Sequence, residues 1–343
     1  MMTIDRLLAI DVGAGTQDIL LFESGKPMEN CVKLLLPSMS TIVAQRIKEA
    51  TTQGEDIFLR GNLMGGGPNV SALKAHLRAG YRIFATPLAA KSIRDDLNEV
   101  RSMGVEIVEE PPDNAIVIET RDIDLRSLRR ALALFNLELP REYAIAVQDH
   151  GERSGISQRR FRFQQWERFV KAGGQLESLA YREVPLYLTR MKAVQRDAPG
   201  ALMMDTGSAA IWGALCDKVV AVRQDEGLIV VNVGNQHVLA ALVKGERIWG
   251  LFEHHTVLMN EEKLVDHIER LRQGLLTNNE VYEDHGHGAF IHPDYEGPFR
   301  FVTITGPNRR MAEGLGYMAV PYGDMMLTGC FGLVAAAQRL LND

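Results

Sequence analysis

The hydrophobic positions along the chain come in short runs broken by glycine, proline and charged residues. Residues 7–10 and 19–22 are apolar runs of strand length, and only Asp11 and a glycine turn lie between them. Strand, tight turn, strand predicts a hairpin rather than a strand-to-helix phosphate loop. Residues 32–36 predict a third strand, stopped by Pro37, and residues 40–50 a helix with Ser40 or Thr41 as N-cap. A strand over 57–60 runs into a glycine-rich turn, followed by a helix over 70–78. Alternation continues with strand 82–85, helix 88–103, strands 105–108 and 115–119, helix 125–137 and strand 143–147. Residues 157–170 read as an amphipathic helix with Phe163, Trp166 and Val170 inward. After strand 201–204 a small-residue helix spans 208–217, then come strands 228–231, 238–243 and 248–252. A helix over 257–275, a loop over 277–298, a strand over 301–305 and a closing helix over 325–340 finish the chain. Strands mixed with helices place the protein in the α/β class.

Length divides this pattern. At 343 residues the chain is too long for one compact core, so two domains are expected, over residues 1–217 and 218–343. A repeat supports the division. Asp11-Val12-Gly13 and Asn232-Val233-Gly234 each end an apolar strand and open a turn, about 220 residues apart. A net charge of −6 argues against nucleic acid as a partner. It also weighs against reading Arg159, Arg160, Arg162 and Arg168, interleaved with aromatic residues, as a nucleic-acid surface. No run reaches membrane-spanning length, and the start lacks a basic segment followed by a long apolar one, so a cytoplasmic protein with no membrane contact is expected. Cys31, Cys216 and Cys330 lie far apart in apolar surroundings and read as reduced, buried thiols.

Candidate chemistry falls at four places. In the first hairpin, Gly13, Ala14 and Gly15 leave backbone N–H groups open to an anion, and Thr16 and Gln17 add side-chain donors. Asp11 is placed to hold a hydrated Mg²⁺ on that anion. The Gly65-Gly66-Gly67 turn lacks a Gly-Lys-Ser/Thr ending, so a hinge or substrate loop is expected there rather than a nucleotide. Asp205-Thr206-Gly207-Ser208 matches the aspartic-protease signature, but that chemistry needs a second such carboxylate and none occurs. The 277–298 loop holds Asp284, His285, His287 and His292, ligand types suited to zinc or iron, with Glu253, His254 and His255 as further candidates.

Taken in order, these pieces resemble the actin-like ATPase superfamily of actin, heat-shock chaperone ATPases and sugar kinases. Residues 11–16 resemble its first phosphate motif and 230–243 its second. Residues 208–217 and 329–336 resemble its two connecting helices, and TITGPNR at 303–309 its adenosine motif. The resemblance implies two ribonuclease H-like domains with a cleft between them, and ATP with Mg²⁺ as cofactors. It further implies that Gly234, Asn235 and Gln236 face the phosphates, that Gly306, with Pro307 and Asn308, receives the adenosine, and that Asp205 positions the attacking group. Asn232 stands where the second motif normally has Asp, which removes one charge from the metal site. The chain also resembles a family labelled a pyruvate formate-lyase activating enzyme. That label implies a [4Fe–4S] cluster on Cys-x₃-Cys-x₂-Cys, a spacing the three cysteines do not supply.

Two functions follow first. One is an ATP-dependent phosphotransferase or ATPase acting on a small molecule, with Asp205 or Asp149 as base. The other is a nucleotide-switched protein read by a partner. A third is a metal protein built on the histidine loop.

Overall fold

The computed structural model describes residues 4–153 and 155–341. The chain opens with β1 (Arg6–Val12), β2 (Thr16–Glu23) and β3 (Val32–Pro37), each antiparallel to the last. An excursion follows through α1 (Met39–Gln53), β4 (Ile57–Gly61), α2 (Pro68–Arg78), β5 (Ile83–Ala85), α3 (Pro87–Ala90), α4 (Leu97–Ser102), β6 (Val105–Ile107), β7 (Ile116–Thr120) and α5 (Leu125–Ala133). The chain returns through β8 (Glu142–Val147), α6 (Gln158–Lys171), β9 (Ala180–Tyr181), α7 (Thr189–Asp197) and β10 (Leu202–Met204). β8 lies parallel to β1, and β10 parallel to β8, giving the order β3-β2-β1-β8-β10-β9. An antiparallel meander whose first strand is continued by parallel strands is the ribonuclease H-like arrangement.

The same arrangement recurs. After α8 (Thr206–Leu215) and α9 (Lys218–Ala221) come β11 (Leu228–Val233), β12 (His237–Lys244) and β13 (Arg247–His255) as a second antiparallel meander. α10 (Glu261–Arg272), α11 (Asn278–Glu283), β14 (Gly288–Ile291), β15 (Phe301–Thr305), β16 (Tyr317–Met318) and α12 (Thr328–Leu341) complete the chain. β15 is parallel to β11 and β16 to β15, so the order is β14-β13-β12-β11-β15-β16, with β14 an added edge. The fold is therefore α/β with two ribonuclease H-like domains. The excursion forms a third, all-parallel sheet, β6-β5-β4-β7, with its own core around Ile47, Leu59, Ile83 and Ile118. No helix among the described residues is long and apolar enough to cross a membrane.

Several boundaries differ from the sequence reading. α1 starts earlier, because Ser38, not Ser40 or Thr41, accepts the bond from the Thr41 N–H. The single helix expected over 88–103 is two short helices, because the Asp96 carboxylate caps α4 from within that stretch. The helix expected from residue 257 begins only after Asn260, which caps α10. The 277–298 segment is not a plain loop. A capping box between Thr277 and Glu280 starts α11, and β14 follows it. The sequence reading passed over α7 and β16, both short.

Alternation along the strands explains how the two domains join. Leu7 and Ala9 of β1 and Leu228 and Val230 of β11 belong to one buried cluster that also takes residues from α8 and α12. Leu8, Ile10 and Val12, on the opposite face, pack in a separate core with α7. The connecting helices thus sit between the sheets. They touch backbone to backbone: a Cβ on Gly213 would lie 1.8 Å from the Thr328 carbonyl oxygen, and one on Gly332 2.0 Å from that of Ala209. Small residues at these positions are a steric requirement, as the resemblance to connecting helices implied.

Gly213→Ala is therefore expected to destabilise the protein. Alanine raises helix propensity by about 1 kcal/mol, but forcing the helices apart costs about 1–3 kcal/mol. The Gly15→Ala control meets no atom within 4 Å and should change stability little. Denaturant unfolding of both variants reads this difference; equal stability of Gly213→Ala and wild type would remove the steric argument.

Candidate functional site

The two hairpin turns close with the same bond. The Gly13 N–H donates to the Thr16 carbonyl at 2.9 Å, and the Gly234 N–H to the His237 carbonyl at 2.9 Å. Val12 pairs with Gln17 as Val233 pairs with Val238, so Asp11 and Asn232 occupy equivalent strand positions. Both turns border one cavity of about 480 Å³, within the usual size range of ligand sites. Asp11, Gly13, Ala14, Thr16, Asp149, Asp205, Asn232, Gly234, Asn235, Gln236, Gly306 and Pro307 all line it. Gly15, Gln17 and Asn308 stand outside this lining. The Gln17 amide is turned onto the Pro37 carbonyl at 2.9 Å. Asn308 braces from behind, its amide donating to the Gly234 carbonyl at 3.0 Å and its backbone N–H to that of Val233 at 3.0 Å.

Gly306 is fixed by close approach. Its φ is +99°, and a Cβ there would lie 2.5 Å from the Val233 carbonyl oxygen and 2.7 Å from Asn232 Oδ1. A side chain would therefore push the turn away from the second hairpin. The Gly65–Gly67 turn forms another part of the cavity wall. Its Gly65 N–H donates to Asp122, which in turn holds Arg190 in a two-point ion pair at 2.8 Å on each nitrogen.

Two carboxylates at the first hairpin each keep one oxygen unpaired, although the Thr16 side chain hydrogen-bonds Asp18. Asp11 and Asp18 are directly opposed across β1 and β2, and Oδ1 of each is buried without a hydrogen-bond partner. Burial, then the charges of Asp18 and Asp205, push the Asp11 carboxyl well above its ordinary range. Burial pushes Asp18 up to about 6. Like charges opposed on one strand pair are unfavourable, and a cation between them is the simplest relief.

Asp205 and Asp149, expected as bases, are occupied otherwise. Asp205 caps α8 by accepting from the Gly207 N–H at 3.0 Å. It also accepts two bonds from Arg162, at 2.7 and 2.9 Å, and one from the Asp149 N–H at 3.3 Å. Two donors per oxygen leave no lone pair open to a substrate proton. Asp149 accepts from the N–H groups of Gly151 and Met191 at 2.8 and 2.9 Å. Its strand-end position made it look catalytic, but it holds two backbone turns.

Arg162 went unassigned because an arginine on an aromatic-rich helix reads as a solvated face. It is 6% exposed and reaches Glu253 on β13 as well, at 2.9 and 3.1 Å. One guanidinium thus links α6, the strand-end Asp205 and the second domain. Burial works against its charge, but Asp205 and Glu253 outweigh burial and hold it protonated. Burial would raise Glu253; Arg162, with His287 and His237, outweighs it and keeps that carboxyl well below its ordinary range. Trp166 also donates its indole N–H to Glu253 at 3.0 Å.

The metal set expected in the 277–298 segment does not converge. Asp284 turns to His254 at 2.9 Å and Lys263 at 2.6 Å. His285 sits in a left-handed backbone position with φ 66°. His292 packs edge-on against Trp249. His287 alone points inward, beside His237 and His150, two residues the metal reading did not include. The cysteines form no group of three among the described residues. Burial pushes the Cys216 thiol up to about 12 and Cys330 well above its ordinary range, so both stay protonated.

Two outcomes follow. Arg162→Met should leave Asp205 and Glu253 as buried unpaired charges and cost about 3–5 kcal/mol, read by denaturant unfolding; a loss under about 1 kcal/mol would mean the strap is dispensable. Asp18→Asn should raise the melting temperature of the ligand-free protein at pH 8. The folded-state value of about 6 lies above the ordinary aspartate value of 3.8. Stability tied to this proton is thus complete below about pH 4 and lost as pH rises through 6. The variant's advantage should therefore shrink on acidification and vanish near pH 4; a gain that does not depend on pH would contradict this.

A search of curated proteins returned no match. Among solved structures, the chain is similar to the ethanolamine utilization protein EutJ from Carboxydothermus hydrogenoformans, with 10% identity, 97% of this chain and 90% of that one covered, and a TM-score of 0.35. It is similar to a Bacteroides thetaiotaomicron protein with actin-like ATPase fold and unknown function, with 6% identity, 95% of each chain covered and a TM-score of 0.37. The apo psk41 parM protein gives 9% identity, 98% of each chain covered and a TM-score of 0.34. The repeated strand order and paired hairpins described above are those of two ribonuclease H-like domains. At the level of family, residues 64–311 match the one described as "Putative pyruvate format-lyase activating enzyme (DUF1786)", a match over more than half the chain, and the protein belongs to that family.

Proposed function

We propose that the cleft binds ATP with Mg²⁺ and that the protein is an ATP-dependent phosphotransferase or ATPase acting on a small molecule. The observation that carries this reading is the pair of identically closed hairpin turns on one cavity, with one unpaired carboxylate oxygen on each of Asp11 and Asp18 at the first. Asp11 would hold Mg²⁺ through water, and Asp18 would share that charge. The turns at Gly13–Thr16 and Gly234–Gln236 would take the phosphates by backbone N–H groups. Gly306 and Pro307 would border the adenosine, with Asn308 holding their turn against the second hairpin. Mg²⁺ bound there supplies charge neutralisation for the phosphates.

On the substrate side, the Gly65–Gly67 turn and Arg190 reach the same cavity. Asp205 could act as a base only after Arg162 releases one of its oxygens, so in this reading the ion pair is also a gate. That feature favours a second reading, in which nucleotide state sets the angle between domains and a partner reads it. Asn232 supports the same alternative, since a metal site with one carboxylate fewer holds Mg²⁺ more loosely.

Calorimetry with ATP, with and without Mg²⁺, tests the common part. Wild type should bind, and Asp11→Ala should lose the Mg²⁺-dependent portion, about 1–3 kcal/mol for one charge-assisted interaction. Absence of ATP affinity in the wild type with Mg²⁺ present would end both readings.

A further inference from the structure

Four imidazoles crowd one wall of the cleft. His150 follows β8 in the first domain, His237 opens β12, and His287 precedes β14. One nitrogen from each of these three lies within 4.8 Å of the others. The His150 and His287 rings stack at 5.2 Å, and His237 lies 4.9 Å from His287. The fourth ring, His255, is 4.8 Å from both His237 and His287. His287 is 1% exposed, and neither of its nitrogens has a partner; nor does His237 Nε2. Buried polar atoms left unpaired are costly, and three in one cluster call for a ligand.

From this geometry we propose that His150, His237 and His287 hold a divalent transition-metal ion of the zinc class, bridging the two domains beside the nucleotide cleft. This goes beyond the ATP reading and does not depend on it.

The chemistry of the donors fits. Imidazole suits zinc and its neighbours, and no thiolate is present to favour a cluster. Around an ion bound at about 2.0–2.1 Å, tetrahedral nitrogens sit about 3.4 Å apart. The observed separations, at most 4.8 Å, close by ring rotations of little more than 1 Å. Local charge fits too. Arg162 lies near the rings, but Asp205 and Glu253 together exceed its charge by one. The Gln148 amide nitrogen donates to His237 Nδ1 at 2.7 Å and to Glu253 at 3.3 Å, a bond that ligation by His237 must rearrange. His150 and His237 line the cavity, so the remaining coordination position faces it. Three protein ligands with an open position is the pattern of a reactive rather than a purely structural zinc site.

The position also has a mechanical consequence. One ligand comes from the first domain and two from the second, so the ion would clamp the side of the cleft that Arg162 already straps.

The test uses the full chain, stripped with chelator and titrated with Zn²⁺ alone. One ion per chain should remain after gel filtration, measured by mass spectrometry of the metal, and the melting temperature should rise with added Zn²⁺. Co²⁺ in its place should give the visible absorption of a nitrogen-ligated site. His237→Gln and His287→Gln should each weaken Zn²⁺ binding at least 100-fold, while His292→Gln keeps one ion. If the buried variants fail to fold by circular dichroism, His150→Gln, on a loop, carries the test, with the same expected loss. Wild type that retains no ion and shows no shift with Zn²⁺, Co²⁺, Ni²⁺ or Fe²⁺ would overturn the proposal. So would one ion per chain persisting in folded His150→Gln or His287→Gln.

Discussion

The closeness of α8 and α12 is the constraint on which the rest depends. With no Cβ at Gly213 or Gly332, the helices meet at their backbones, and the sheets on either side come near enough to share one core. That spacing fixes where β1 and β11 end, and therefore how far apart the two hairpin turns stand. The helix crossing reaches the chemistry directly. A Cβ on Gly329 of α12 would lie 1.9 Å from Asp11 Oδ2, so the carboxylate is backed by bare helix backbone. Packing density leaves such a contact no slack. The helix crossing and the Asp11 carboxylate are therefore in direct contact, and neither can shift without the other.

Charge is arranged around the same cleft in two unequal ways. At Arg162 a buried cation is matched by two carboxylates and a full set of hydrogen bonds, the condition under which a buried ion pair is tolerable. At Asp11 and Asp18 two like charges are opposed and one oxygen of each is left without a hydrogen bond. The first arrangement is complete without a ligand and reads as structure. The second is incomplete without one and reads as a site. This contrast, rather than any motif, separates Asp205 from Asp11 in function, although both are aspartates at strand ends facing one cavity.

Much of the fold was legible because it rests on local pattern. Apolar runs of strand length around glycine turns predicted both hairpins, and the Asp-Val-Gly and Asn-Val-Gly echo predicted that they are equivalent. Small residues at 208–217 and 329–336 pointed to the helix crossing. What was not legible depends on distant partners. Asp205 looked catalytic because sequence shows a carboxylate before a helix, but not the arginine 43 positions away that saturates it. Arg162 was weighed only as part of a nucleic-acid surface, because helical spacing cannot show what a long side chain reaches. The histidines of 277–298 looked like a set because they are neighbours in sequence. α11 and β14 turn them in different directions, and His287 joins His150 and His237 from two other elements. A signal was present in the run of His254, His255, His285 and His287 together with two further histidines at strand ends, but only the topology says which of these meet.

The repeat itself carries the last inference about how the cleft divides its labour. Equivalent strand positions hold Asp11 and Asn232, and their cross-strand partners are Asp18 and Leu239. One hairpin therefore presents opposed carboxylates and the other an amide opposite an apolar side chain. Backbone geometry is the same in both, so each turn offers N–H groups to an anion, but only the first can also balance a cation. On the reading proposed above, a metal–anion ligand would lie with its cation toward β1 and β2. The second hairpin is left free of that duty. It has instead the close contact with Gly306 and Asn308 and the imidazole of His237 at its far edge, so the opposed carboxylates and the tightest backbone contact belong to different hairpins of one cavity.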